Sequence, residues 1–175
     1  MLIKKEGVYN RMIINKEFKV HSDKNVSFFD MTDEIVKAVA ESGVKNGMLL
    51  SYSQHTSCSV FIQEESEDTT YWHVQLILQD MLNIFDKLIP TCRHEGQYLH
   101  PGPIHTEHAM AWRDEKSEWL LNTDAHLRSV LLGRSETIPI VEGNVILGEF
   151  GRVYFADFDQ TRERDRVFRI QIMGE

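Results

Sequence analysis

The stretch ETIPIVEGNVILGEFGRVYFADFDQTRERDRVFRIQIM, residues 136–173, decides the fold. Ile138 and Ile140, then Val145 and Leu147, then Val153 and Phe155 fall at alternating positions, and V-F-R-I-Q-I-M at the end alternates throughout. A side-chain period of two puts neighbours on opposite faces, which is the signature of a half-buried strand. Val141-Glu142-Gly143-Asn144 is a hairpin turn signal, with glycine where tight hairpins need a positive φ. The spacing predicts strands over 136–141, 144–148, 151–158 and 166–173, joined mostly by hairpins.

Upstream, residues 9–20 alternate Ile, Phe and Val with polar residues and predict a long first strand. Asp30 or Thr32 can cap a helix whose first turn carries Asp33 and Glu34, whose apolar face is Ile35, Val36, Val39 and Ala40, and which stops at Gly43. Strands are expected over 48–53 and 58–63, separated by Gln54-His55-Thr56-Ser57. A long helix is expected over 68–88, with Val74, Leu78, Met81, Leu82, Phe85 and Leu88 as its core stripe and Pro90 as its stop. Residues 91–119 show no strong period; short helices are expected from Thr106 and over 115–121. Asn122 or Thr123 can cap a helix ending at Gly133, carrying Ala125, Leu127, Val130 and Leu131, with His126 and Val130 on one face and Arg128 pointing away. The sum is an α+β fold: one domain over 1–175, mostly antiparallel sheet or sandwich, with two or three packed helices.

Composition narrows the function. A chain of 175 residues with 42% hydrophobic and 26% charged residues fits an ordinary globular domain. No apolar run is long enough to span a membrane, and the N-terminus has no apolar signal core, so a cytoplasmic location is expected. Two cysteines, Cys58 in an apolar alternation and Cys92 in a loop, make no disulfide framework. A net charge of −8 argues against broad nucleic-acid binding by counterion release. A phosphorylated small molecule needs only a few local cations. Arg128, Arg134, Arg152, Arg162 and Arg164 are concentrated in the C-terminal third, where the ordinary explanation is pairing with Asp157, Asp159, Glu163 and Asp165 on a solvated surface.

Four of the eight histidines, His100, His105, His108 and His126, fall within residues 98–133, with Glu107 and Asp124 beside them, and His55 lies in Q-H-T-S. Imidazole is the commonest metal ligand and the readiest acid or base near neutrality. The spacing fits no standard zinc signature: there is no H-E-x-x-H and no C-x-x-C. The acidic run Glu64, Glu65, Glu67 and Asp68 suits a helix N-terminus, or else supplies hard oxygen ligands or a base beside His55.

Several runs together resemble the YjbQ-like family, whose members include secondary thiamine-phosphate synthases. Gln54-His55-Thr56-Ser57-Cys58-Ser59 resembles its H-T-S-x-S element, and Tyr98-Leu99-His100 its Y-x-H after the long helix. Asp124-Ala125-His126-Leu127-Arg128 with Leu132-Gly133 and Ser135 is similar to its A-H-[IL]-[KR]…L-x-G-x-S element, and Thr137-Ile138-Pro139-Ile140 with Leu147-Gly148 to the hairpin that follows. The chain departs from short members by an insertion at about residues 101–121, by Pro101-Gly102 where Asn-Asp is common, and by Phe150-Gly151 in place of Trp-Gln. The resemblance implies a homotrimer and a metal held by His55, His100 and His126, with His105 and His108 as further candidates.

The resemblance also implies a reaction, condensation of a pyrimidine-methyl diphosphate with a thiazole phosphate, releasing pyrophosphate. Leaving diphosphate needs cations. Arg128, Arg134 and Arg152 are the candidates, with Thr56, Ser57 and Ser135 as neutral donors; Asp124, Glu64 and His126 are the candidate catalytic residues. Three histidines suit zinc better than Mg²⁺, though Mg²⁺ suits a diphosphate. That mismatch keeps metal-assisted hydrolysis or lyase chemistry on a small phosphorylated metabolite as an alternative. A third reading is a non-catalytic oligomeric module that binds a metabolite, with Trp112 and Trp119 of the insertion on its recognition surface.

Overall fold

The computed structural model describes residues 12–175. The elements in chain order are β1 (Met12–Ser22), β2 (Ser27–Asp30), α1 (Thr32–Ser42), β3 (Gly47–Ser53), β4 (Cys58–Glu64), α2 (Leu76–Leu88), α3 (Pro103–Arg113), a 3-10 turn (Ser117–Leu120), α4 (Thr123–Leu132), β5 (Ser135–Val141), β6 (Asn144–Val145), β7 (Gly151–Asp157) and β8 (Arg164–Gly174). The part of the expected first strand before Met12 lies outside the described residues. The strands form two antiparallel sheets, a five-stranded one in the order β1-β8-β3-β5-β6 and a three-stranded one in the order β2-β7-β4. The α+β fold with mostly antiparallel sheet is therefore the observed one.

The layers explain the burial patterns. Leu49, Ile138, Ile140, Phe168, Ile170 and Ile172 of the large sheet meet Cys58, Val60, Val153 and Phe155 of the small sheet, and α1 adds Ile35, Ala38 and Val39 to the same core. The opposite face of the small sheet presents Phe61, Tyr154, Ala156 and Phe158 to Leu78 and Phe85 of α2 and Ala125 of α4. The small sheet is thus a middle layer. Much of β7 and the first half of β4 is buried on both faces, while β1 and β8 alternate as one-faced strands must.

The hairpin at 141–144 forms as its sequence demands: Glu142 and Gly143 take φ of 52° and 81°, and Val141 pairs Asn144. Helix α1 ends where expected, at Gly43 with φ 73°. Asp30 accepts the Thr32 N–H at 2.9 Å.

Three expectations are corrected. Helix α2 begins at Leu76, not at residue 68, because Thr70 and Gln75 draw the preceding backbone into a tight loop. The Thr70 hydroxyl accepts from Trp72 and Val74 N–H, Gln75 Oε1 accepts from Ser66 N–H, and Thr69 bridges to Gln75. Helix α3 starts at Pro103 in the first helical turn, ahead of Thr106, where a missing N–H costs nothing. Helix α4 is turned over. Asp124, Ala125, Arg128 and Ser129 are its buried face, while Leu127, Val130 and Leu131 face outward. Hydrogen bonds fix that orientation: Ser129 Oγ donates to Cys58 O at 2.6 Å, and Ser59 Oγ donates to Ser129 O.

Candidate functional site

A cavity of about 770 Å³ opens between the β3–β4 loop, the 100–122 segment that carries α3, α4 and the start of β8. Its size suits a small-molecule ligand. Strand register assembles it: β3 and β8 are antiparallel neighbours with Ser53 opposite Phe168, which brings the loop after β3 beside Val167. Four guanidiniums line the cavity, Arg113, Arg162, Arg164 and Arg166, against two carboxylates, Glu115 and Asp159. On a chain of net charge −8 this is a local inversion of sign.

The floor is a buried ion network. Arg166 forks onto Asp157, Nε to Oδ2 at 2.6 Å and Nη2 to Oδ1 at 2.8 Å, and Nη2 also donates to Ser57 Oγ at 2.9 Å. Ser22 Oγ donates to the same carboxylate at 2.7 Å. Next to it, Asp159 accepts from Arg164 Nη2 at 2.6 Å, Asn122 Nδ2 at 2.8 Å and Thr161. Burial alone would raise the Asp159 carboxyl; the Thr161 and Asn122 bonds and the Arg164 charge outweigh it and hold it below the usual carboxylate range. Arg164 Nε is buried without a partner, and burial lowers the guanidinium's pKa. The floor therefore has more donor capacity than the protein fills.

The histidines divide. His100, His105 and His126 gather at the cavity wall, with ring centroids of His100 4.8 Å from His105 and 6.0 Å from His126. Thr123 Oγ1 donates to His100 O at 2.6 Å and ties this cluster to the start of α4. Burial, with the neighbouring His105 and His126, lowers the His100 pKa, so its imidazole is neutral at pH 7. His55 lines the cavity too, but its Nε2 accepts the Val167 N–H at 2.9 Å. Its pKa is lowered by burial and then by the Arg166 charge. His108 is exposed and stacks on Trp112 at 4.0 Å, away from the cavity lining.

His55, His100 and His126, the ligand set implied by the resemblance, all line this cavity. His55 has its Nε2 engaged by backbone. Among the described residues no three His, Cys, Asp or Glu side chains come together to hold a metal ion.

Other expected site residues lie elsewhere. Arg128, only 1% exposed, donates through Nη2 to Asp86 Oδ1 and Ile89 O at 2.8 Å each, clamping α4 to the end of α2. Arg152 is held by Asp30 at 2.7 Å and lies near Asp33 and Glu65. Asp124 faces away from the cavity and accepts backbone N–H groups including that of Cys92; burial raises its pKa. Glu64, Arg134 and Ser135 are not in the lining, whereas Thr56 and Ser57 are. Three of the four arginines that do line the cavity, Arg162, Arg164 and Arg166, are spaced by two residues leading into β8. That spacing is the sequence signal that would have placed them on one face.

Comparison with known proteins places these features in a family. The family described as UPF0047 protein YjbQ-like matches residues 16–175. A UPF0047 protein of Methanocaldococcus jannaschii is 28% identical over 91% of this chain and 94% of its own. YugU of Bacillus subtilis is 28% identical over 91% of this chain and 98% of its own. Among solved structures, a YjbQ/UPF0047 protein of Clostridium acetobutylicum is 28% identical with a TM-score of 0.64, covering 91% of this chain and 98% of that one. A protein of unknown function from Sulfolobus solfataricus shares the fold at a TM-score of 0.71 and 20% identity, covering 95% of this chain and all of that one. The chain belongs to the YjbQ-like UPF0047 family.

Proposed function

We propose that the protein is an enzyme that binds a phosphorylated small molecule in the arginine and histidine cavity and displaces a diphosphate from carbon, as in thiamine-phosphate synthesis. The observation that carries this is the cationic excess at the cavity, four guanidiniums against three carboxylates once Asp157 beneath Arg166 is counted, on a strongly acidic chain. Arg164 is the central residue, because its guanidinium donates to Asp159 and Thr161 through Nη2 alone. In such a condensation a ring nitrogen of one reactant attacks the methylene carbon of the other. The carbon–oxygen bond to diphosphate breaks as the nitrogen–carbon bond forms, and the bonding pair leaves on the diphosphate oxygen. Arg164 and Arg162 stabilise the growing charge on that oxygen, and Thr56 offers a neutral donor. His100 and His126 stand at the wall to move a proton or bond the organic ring.

The test is pyrophosphate release from the pyrimidine-methyl diphosphate and thiazole phosphate pair, with Arg164→Gln and His126→Ala beside the parent. Turnover lost in both variants with unchanged melting supports the enzyme reading. Phosphate binding without turnover for any variant or the parent assigns the cavity to metabolite binding alone. The outward face of α4 extends the proposal to partners: Leu127 and Val130 line the cavity and continue into exposed Leu131, and a second copy of the chain covers this surface.

A further inference from the structure

The cavity has a rim that its floor does not explain. Glu115, from the inserted segment, sits between two guanidiniums. Its Oε1 accepts from Arg162 Nη2 at 3.0 Å, and its Oε2 lies 3.4 Å from Arg113 Nε. Each oxygen faces a different arginine, which is how an oxyanion bridges two cations. Arg162 is not loose. Its guanidinium carbon lies over the Trp119 ring, 4.2 Å from the centroid, so the group is held against the aromatic face. Thr161 Oγ1 donates its proton to Asp159 Oδ1 at 2.6 Å and lies 3.3 Å from Trp119 O, which brings the 3-10 turn beside the chain before β8. Arg113 Nη2 reaches to 3.4 Å from His105 Nε2, joining the rim to the histidine wall.

Exposure grades from rim to floor: the Arg113, Arg162, Arg164 and Arg166 side chains are 53%, 26%, 20% and 5% exposed. One carboxylate on two guanidiniums leaves a positive charge unanswered. A phosphate group brings more charge and a third acceptor oxygen to the same two forks.

Building on the reading of this cavity as a site for phosphorylated molecules, we infer that the inserted segment forms a second phosphate subsite at the rim. Arg113 and Arg162 are its donors, and Glu115 is an internal counter-anion that an incoming phosphate group displaces. Its ligand is the phosphate monoester of a second reactant, held while the first occupies the floor at Arg164. Glu115 then also selects: a carboxylate on the ligand gains little over the one already present, while a phosphate dianion competes effectively.

The experiment is calorimetric titration of inorganic phosphate, with acetate as the carboxylate control, into the parent and Glu115→Gln, Glu115→Gln/Arg162→Gln and Arg164→Gln variants at low ionic strength. Glu115→Gln should bind phosphate about tenfold more tightly than the parent, a gain that Arg162→Gln abolishes. Phosphate bound no more tightly by Glu115→Gln with an unchanged melting curve overturns the inference, as does a gain that survives Arg162→Gln. A gain confined to acetate also overturns it. If that gain is absent while binding still depends on Arg164, the rim fails and the floor stands. If the gain appears and Arg164→Gln changes nothing, the floor fails and the rim stands. No phosphate binding by any variant overturns both.

Discussion

Replacing Arg166 by Met removes the guanidinium beneath the cavity and keeps most of the aliphatic stem. The magnitude follows from what is left behind. Asp157 has no exposed side-chain surface, loses both arms of the fork, and keeps the Ser22 hydroxyl and the Asp159 N–H, neither of them charged, while Ser57 Oγ loses the Arg166 contact. Removing one partner of a buried ion pair costs about 3–5 kcal/mol, against about 0–1 kcal/mol for an exposed pair. A loss of ~4 kcal/mol is a large part of the ~5–15 kcal/mol that holds a typical domain together. With a urea slope near ~2 kcal/mol per molar, the midpoint should fall by roughly 2 M. The assay is equilibrium urea unfolding followed by tryptophan fluorescence, run on Arg166→Met, Asp157→Asn and the double variant. The double variant should cost at least ~2 kcal/mol less than the two single losses summed, because the second change removes the stranded charge. A loss under ~1 kcal/mol for Arg166→Met, or strict additivity in the double variant, would refute the argument.

His55 gives a pH signature. Its folded pKa is depressed, so the native state binds fewer protons than the unfolded chain, and stability should fall as pH drops below the ordinary histidine value of about 6.5. His55→Gln should flatten that acid limb, measured by melting at pH 7.5 and 5.5; an unchanged slope counts against burial of His55 beside Arg166 as its cause. Asp124 runs the other way. Its folded pKa is raised, so its contribution is fullest below the unfolded carboxyl value of about 3.9 and is lost as pH rises through the folded pKa. Asp124→Asn should therefore gain stability relative to the parent as pH is raised from 3.5 to 7, and a flat difference in melting temperature would contradict this. On α4, Val130→Glu with Leu131→Glu should lower the mass seen by analytical ultracentrifugation while the circular dichroism spectrum holds; an unchanged mass removes this face from self-association.

Local chemistry made part of the fold legible. Glu142-Gly143 forced a hairpin, Gly43 ended α1, and the alternation of Phe168, Ile170 and Ile172 marked a one-faced strand. The start of α2 was hidden because Thr70 and Gln75 satisfy backbone groups through side chains, which leaves the apolar stripe unchanged. The orientation of α4 was hidden because Arg128 ranks as a surface residue until the carbonyl of Ile89 and the carboxylate of Asp86 are brought to it. For the site, His100, His105 and His126 were legible as a cluster by proximity in sequence. The arginines were read in part: pairing of Arg164 with Asp159 follows from their spacing, but Arg162 to Arg166 face a cavity only because β3 pairs β8 and draws Thr56 and Ser57 beside them. Cross-strand register of that range leaves no trace in local pattern.

The sheet of β2, β7 and β4 has packed side chains on both sides, Phe155 with Val60 on one and Tyr154 with Phe61 on the other. A slab whose central strand is covered on both faces cannot give up either of its neighbours and stay folded. Peeling away the helices would strand one set of aromatic side chains in water, and peeling away the large sheet would strand the other. The amides of β7 should therefore exchange with solvent only when the whole molecule opens, whereas those around residues 101–121, where α3 buries only Ala109, exchange through local opening. The molecule has one cooperative centre, and the segment that walls the cavity is free to breathe without disturbing it.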